Sequence, residues 1–352
     1  MNRLRFSCCL PPSKDVPAFA KLAEELGYDG LFLYDSPALY GDVWMSLARA
    51  AETTSRINLG TGVMVASLRH PMVVASAIAA LEELAPGRLV CGIGSGFTAR
   101  CTMGKKSIPW SQMGLFLRQL RGLLNGEVVE IEGDACQMIH SPGFAPNRPI
   151  KTPFIVAASG PKGFEIAREF GDGVICDREI PRGFSRCLQF AFGTVLDPGE
   201  DHTTPRVRDA AGPFATTAYH AMWEQGAEVV DSMPGGRDWR AGIEQERPDG
   251  QRHLAVHEGH LVAISDRDRA LLDAAGPMIT RLGWTGDDEA IQERIKQAAA
   301  KGVTEVVMSM AGPDIPRELR AFARAAGLSN NTSYIFGNTS PLVGDTRQGC
   351  CP

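Results

Sequence analysis

Short apolar runs alternate with longer segments of helical period along most of this chain, and that alternation restricts the fold more than any other feature. Leu4–Leu10 reads as a strand, and Val16–Leu26 follows with Ala18, Leu22 and Leu26 on one helical face and Gly27 as its stop. The same unit recurs: Gly30–Tyr34, then a helix capped by Asp42; Ile57–Val65, then a helix opening at Pro71; Leu89–Ile93, then a helix over Ser111–Leu124. Phe154–Ala158 is the fifth strand, with a helix opening at Pro161, and Val174–Cys176 and Leu188–Leu196 are the sixth and seventh. A helix over Asp287–Ala300 precedes the eighth, Glu305–Met310, and Pro316–Ala326 closes the pattern. Strands that alternate with helices form a parallel sheet covered by helices, and a count of eight selects a closed (β/α)8 TIM barrel over an open sheet.

The 352 residues exceed a bare barrel, and the pattern shows where the excess lies. Polar–apolar alternation around Gly133-Asp134 predicts an inserted hairpin at about 127–140. Residues of about 197–284 break the rhythm with Pro, Gly and charge, and read as a long insertion of short helical pieces. Residues 1–328 are thus expected to form one barrel domain, and 329–352 an irregular tail without helical or strand period.

Composition excludes several function classes. A net charge of −5 with no basic block argues against nucleic acid as partner. No apolar run reaches membrane-span length, and Pro11 interrupts the N-terminus too early for a signal peptide, so a cytoplasmic protein is expected. Nine cysteines, several beside strand segments, read as reduced apolar residues, not as a disulfide framework. With no HExxH and no CxxC pair, no metal site is expected.

In such a barrel the ligand site lies at the C-terminal ends of the strands. Ala158-Ser159-Gly160-Pro161, between a strand and a helix, can cradle an anion on backbone N–H groups or be an ordinary turn. Gly92-Ile93-Gly94-Ser95-Gly96 lacks the last glycine of GxGxxG and follows the fourth strand, which disfavours a dinucleotide-binding fold. Gly60-Thr61-Gly62-Val63 marks a bulge or a close backbone approach to a flat ring, or else tight barrel packing. Asp35 can hydrogen-bond a ring, position a proton or cap its own loop. His70 is a candidate proton donor or a helix-start residue, and Arg100 a candidate anion-fixing group or a solvated surface arginine. His257 and His260, in RHLAVHEGHLV, either face substrate over the barrel mouth or end a helix near Gly259.

These residues, taken in order, resemble the luciferase-like monooxygenase superfamily, in particular its branch of methylenetetrahydromethanopterin reductase and other coenzyme F420 enzymes. LAEELGYDGLFLYDS, AAETTSRINLGTGVM, LRHPMVVASAIAALEELAPGRLVCGIGSG, PFIVAASGPKGFEIAREFGDGVI and KGVTEVVM carry the resemblance, over Leu4–Leu196 and Thr285–Leu328. It implies F420, with FMN as the alternative, as cofactor of an oxidoreductase acting on a small molecule, and a homodimer. It places Asp35 against the cofactor ring, a non-prolyl cis peptide at Gly62-Val63, the phosphate turn at Ala158, Ser159, Gly160 and Pro161, and Cys176 beside it. Sugar-phosphate dehydrogenases of this branch carry a His after the strand-two acid and a Glu after the strand-four GxG. This chain has Ser36 and Phe97, so Phe97 and Trp110 are expected to offer an apolar substrate surface, or to pack the strand-four loop. Hydride transfer, FMN-dependent monooxygenation and a noncatalytic ligand-binding barrel remain as readings.

Overall fold

Strand sequences rich in Val, Ile, Leu and Cys, apolar on both faces, suit a parallel sheet buried on both sides, and the chain builds one. The computed structural model describes residues 3–176 and 180–328; Asp177 and the 329–352 tail lie outside the described residues. The strands are β1 (Arg5–Leu10), β2 (Gly30–Leu33), β3 (Asn58–Val65), β4 (Leu89–Gly94), β5 (Val129–Ile131), β6 (Asp134–Cys136), β7 (Phe154–Ala157), β8 (Gly173–Ile175), β9 (Cys187–Phe192) and β10 (Glu305–Ser309). All but β5 and β6 pair in parallel and close in the order β1-β10-β9-β8-β7-β4-β3-β2, which is the eight-stranded barrel that the alternation predicts. β5 and β6 form the antiparallel hairpin, turning at Glu132-Gly133.

Six of the barrel's covering helices precede the long insertion: α1 (Val16–Leu26), α2 (Val43–Thr53), α3 (Pro71–Leu84), a short α4 (Phe97–Cys101), α5 (Trp110–Asn125) and α6 (Gly160–Phe170). Their starts follow local chemistry. Asp42 accepts from the amides of Trp44 and Met45 to cap α2, and α1 stops at Gly27 in the left-handed region. The helix α4 has no counterpart in the sequence reading, because five residues are too few to show a period. No helix among the described residues separates β8 from β9.

Inside the barrel, Cys9, Phe32, Val90, Ile155, Ile175, Leu188 and Val307 are buried together. Glycines make room for them. A Cβ on Gly60 would lie 2.6 Å from the Phe32 ring, and one on Gly92 only 2.2 Å from the Thr61 carbonyl oxygen. The N-terminal end of the barrel is closed by Glu305, whose carboxylate accepts from Ser7 at 2.6 Å and pairs with Arg5 and Arg186 at 2.8 and 3.0 Å.

Between β9 and α12 (Asp288–Ala300) the chain forms a helical module, more regular than its composition suggests. It contains α7 (Pro205–Trp223), α8 (Gly236–Glu246), α9 (Arg252–Val256), α10 (Asp266–Ala275) and α11 (Met278–Arg281). Its own core gathers Ala215, Tyr219, Val230, Trp239, Ile243, Val256, Leu271, Leu272 and Ile279. The chain leaves and rejoins the barrel at one place, where Val195 and Gly286 form a parallel bridge and Leu196 donates to the Gly286 carbonyl at 2.9 Å. Stacking of Phe192, at the end of β9, on Phe214 of α7 at 4.5 Å between centroids fastens module to barrel. The last helix, α13 (Ile315–Ala325), packs beside α1 and α12. No helix among the described residues is long and apolar enough to cross a membrane.

Candidate active site

At the C-terminal ends of β2, β3, β4 and β9 lies a cleft of about 190 Å³, its mouth open to solvent. Tyr34, Asp35, Ser36, Gly62, Val63, Phe97, Thr98, Phe190, Phe192, His260 and Leu261 are among the residues that line it. The barrel supplies the floor and the module one wall.

The floor is built by β3. Its register against β4 shifts between Thr61 and Met64, and the Gly62–Val63 peptide bond is cis. Gly62 is closely packed: a Cβ there would approach Cys9 Sγ to 2.9 Å and the Phe190 ring to 3.2 Å. Only a residue without a side chain brings the backbone so near the barrel interior.

Asp35 is buried in the cleft wall, and both its oxygens are engaged. Oδ2 accepts from the Val65 amide at 3.1 Å and from Arg69 at 2.7 Å, while Oδ1 accepts from Arg69 at 3.0 Å. The same guanidinium reaches Asp42 Oδ2 at 2.9 Å. Burial alone would depress the Arg69 pKa, but its hydrogen bonds and charge pairing with Asp35 and Asp42 raise it. The Asp42 carboxyl is held below its usual range; burial opposes this, and the Met45 amide and Arg69 prevail. Arg69 therefore joins the end of β2, the start of α2 and the end of β3. Sequence reading passed over it for His70, because the two acids it clamps lie 34 and 27 residues away.

Ala158 is buried beneath the α6 N-terminus, whereas Ser159, Gly160 and Pro161 are exposed. Ser159 stands at the N-cap without bonding the helix, and Gly160 has φ of 68° with nothing within 4 Å of a Cβ position. The first-turn N–H groups of an eleven-residue helix thus lack a side-chain cap at an exposed turn. Cys176 is buried at the end of β8, its amide bonded to the Leu188 carbonyl at 3.1 Å.

Three expected site residues stand elsewhere. His70 is exposed and caps α3, its Nδ1 accepting from the Met72 amide at 3.2 Å, and it is not among the residues that line the cleft. Arg100 bonds Ser67 Oγ at 2.9 Å and the Lys106 carbonyl, holding the β3–α3 and α4–α5 loops together instead of facing the cleft. Trp110 packs between α5 and α6, where a Cβ on Gly163 would lie 2.6 Å from its ring, and is not among the cleft-lining residues, whereas Phe97, 46% exposed, is.

His260 lines the cleft, its Nε2 3.1 Å from Thr98 Oγ1. Its Nδ1 lies 2.7 Å from Nδ1 of His220, a residue of α7 that sequence reading missed. His257 is buried behind them, with Nε2 3.1 Å from Glu224 Oε1. Burial pushes all three imidazole pKa values down, that of His260 to about 3, so the cluster is neutral near pH 7. Burial likewise pushes the Tyr34 and Tyr40 phenols up; Tyr34 contacts Ser309 Oγ, and Tyr40 donates to the His260 carbonyl at 3.2 Å.

Among proteins of known activity, this chain is 26% identical over 327 residues to a 5,10-methylenetetrahydromethanopterin reductase of Archaeoglobus fulgidus, covering 87% of this chain and 92% of that one. It is 24% identical over 330 residues to an F420-dependent glucose-6-phosphate dehydrogenase of Amycolatopsis mediterranei, covering 88% and 92%. A Methanolobus tindarius reductase of the first kind is 33% identical over 201 residues, the match spanning 54% of this chain and 58% of that protein. In structure, the coenzyme F420 dependent tetrahydromethanopterin reductase of Methanopyrus kandleri superposes with a TM-score of 0.62 at 19% identity, over 93% of this chain and all of that one (100%). An F420-dependent secondary alcohol dehydrogenase gives 0.62 at 14% identity, over 92% and 98%. The family model of luciferase-like monooxygenases matches residues 10–305. With the closed barrel and its C-terminal cleft, that match makes this chain a member of the luciferase-like monooxygenase family.

Proposed function

We propose that the chain is a coenzyme F420-dependent oxidoreductase that transfers hydride to or from a small organic substrate. The observation that carries this reading is the pairing of an uncapped α6 N-terminus, open above Gly160, with a barrel-end cleft floored by Gly62-Val63. The first suits a phosphate and the second a flat ring. The two long alignments to an F420-dependent dehydrogenase and to a methylenetetrahydromethanopterin reductase support the deazaflavin over FMN.

The residues fit such a group. Ala158, Ser159, Gly160 and Pro161 would hold its phosphate on backbone amides and the Ser159 hydroxyl, with Cys176 at the neighbouring strand end, and Gly62 and Val63 would back its ring. When bound, the deazaflavin supplies the hydride chemistry, and the protein supplies orientation and a dry cleft. Asp35 is the buried acid of that cleft. With Arg69 on both its oxygens it fixes the Val65 amide and the edge of the floor, a positioning role. Phe97, Phe190, Phe192 and Leu261 make the substrate side largely apolar, and Ser36 and Phe97 offer a sugar phosphate neither His nor Glu. An apolar or aromatic substrate therefore suits this cleft better than glucose 6-phosphate. The same reading makes the enzyme cytoplasmic, with Cys8, Cys9 and Cys91 as buried thiols, and a homodimer through apolar side chains such as Met45 and Val73, 72% and 57% exposed.

Titration of the purified chain with F420 and with FMN tests the assignment. F420 is expected to bind with the higher affinity; tight FMN binding with none of F420 overturns the choice and favours an oxygen-using monooxygenase. Gly160→Val, at a position where φ of 68° suits only glycine, is expected to weaken F420 binding at least tenfold while costing about 1–2 kcal/mol of stability. Unchanged affinity in that variant removes the phosphate from this turn.

A further inference from the structure

His220, His257 and His260 come from two segments of the helical module and converge behind the cleft wall. One ring nitrogen of each lies within 4.8 Å of one from each other ring. The ring centroids are 4.9, 5.4 and 5.7 Å apart. Three imidazoles arranged tetrahedrally around one ion at Zn–N distances of about 2.0–2.1 Å have centroids roughly 5 Å apart.

The partners of the rings point the same way. All three side chains are at least 95% buried, and His257 Nδ1 meets no hydrogen-bond partner; His220 Nε2 is unpartnered as well, but the nitrogen that His220 turns to His260 is its Nδ1. Buried polar atoms are rarely left so. Glu224 accepts a hydrogen bond from His257 Nε2, which leaves Nδ1 with a lone pair and no partner. A carboxylate on the outer nitrogen is the usual way in which proteins orient a metal-binding histidine. On His260, the outer Nε2 meets Thr98 Oγ1, and with the proton on Nε2 the Nδ1 lone pair points toward His220. The two Nδ1 atoms, 2.7 Å apart, share either a proton or a cation. To take an ion they need to part by about half an ångström, to roughly 3.3 Å. Charge is provided for nearby: Cys101 and Glu224 group with His257 within 4.8 Å, and Arg267 is neutralised by Glu246 and Glu258.

We propose that His220, His257 and His260 bind one divalent transition-metal ion of the zinc class, with water completing the coordination. The ion sits behind His260, and its role is architectural. It fastens α7 to the 257–261 turn, and through the His260–Thr98 bond it sets the module's wall against α4. Leu261, which lines the cleft beside His260, is held at φ of 62°, a conformation that needs a firmly fixed turn. The pairing of a residue of α7 with one 40 positions later explains why the spacing of HEGH alone gives no sign of a site.

Dialysis of the full-length protein against a chelator, followed by titration with Zn²⁺ or Co²⁺ alone, tests this without any cofactor, so its outcome is separate from that of the F420 assignment. One equivalent of Zn²⁺ is expected to bind, and one equivalent of Co²⁺ to give the visible ligand-field band of a four-coordinate nitrogen-rich site. His257→Gln should abolish stoichiometric binding, and Glu224→Gln should weaken it about 10–100-fold by freeing the ring from its carboxylate. Because a buried Gln can itself unfold the module, the wild-type Co²⁺ spectrum stands alone: no band at one equivalent overturns the site. Equal Zn²⁺ affinity in a folded His257→Gln variant overturns it as well.

Discussion

The barrel and the helical module meet at one cleft but are stabilised in different ways. In the barrel, close backbone packing decides: Gly60, Gly62 and Gly92 let strands and the Phe32 ring occupy space that any side chain would fill. The module relies on large side chains around Trp239, and on polar links such as the Trp239 indole N–H donating to Asp268 at 2.9 Å. The first kind of core tolerates almost no added atom, and the second almost no removed one. Binding chemistry follows the division, with the proposed phosphate turn and ring floor on the barrel and a substrate-facing wall on the module.

The strongest test of this contrast is Gly92→Val. With a Cβ position 2.2 Å from the Thr61 carbonyl oxygen, the substitution is expected to cost more than about 4 kcal/mol and to collapse barrel and module together in urea unfolding. If it unfolds neither, the barrel is less rigid than its packing implies. Trp239→Ala is expected to cost about 3–5 kcal/mol, confined to the module. Amide hydrogen exchange should quicken across 205–281 and stay unchanged in β1–β4; acceleration in both would make them one cooperative unit. A smaller effect sharpens the description of the joint. Arg206 hydrogen-bonds Glu200 and holds its pKa at about 2. A depressed carboxylate stabilises the fold above its unfolded pKa, about 4.3, and that contribution disappears as pH falls from there toward 2. Glu318 works in the opposite sense, since burial raises its pKa despite Thr194, Arg317 and Arg206. Glu200→Gln is thus expected to lower stability at pH 7 by about 1 kcal/mol and to flatten the acid limb of a thermal melt between pH 4.5 and 2. An acid limb identical to that of the wild type would assign the loss to other groups.

How far each region could be read beforehand follows the same division. The barrel strands are local signals: GLFLY or FIVA announces itself within a few residues, and the closing order needs only their count. The module is hidden by its own packing needs. Gly212 lies in α7 because Leu272 would be 2.7 Å from a Cβ there, and Pro213 follows within the same helix. Read locally, the two residues break a helix; in the folded chain Gly212 lets α7 and α10 come close. The site divides likewise. Asp35, Phe97, Gly62 and Val63, which line the cleft, were legible because they lie in or shortly after strands. Arg69 and His220 were not, since their meaning lies in Asp35, Asp42 and His260, partners 27 to 40 residues distant. Trp110 and Arg100 lie close to the right strand ends in sequence, but their side chains turn into the helix layer and the loops.

The bridge between Val195 and Gly286 has a consequence for how such an enzyme diversifies. Because the chain departs and returns through two adjacent strands, the excursion between them behaves as a cassette. It can be lengthened, exchanged or recombined without altering the strand register or the turn above α6. Under the proposed function, recombination at these two neighbouring positions would change the wall of the cleft and leave the turn above α6 in place.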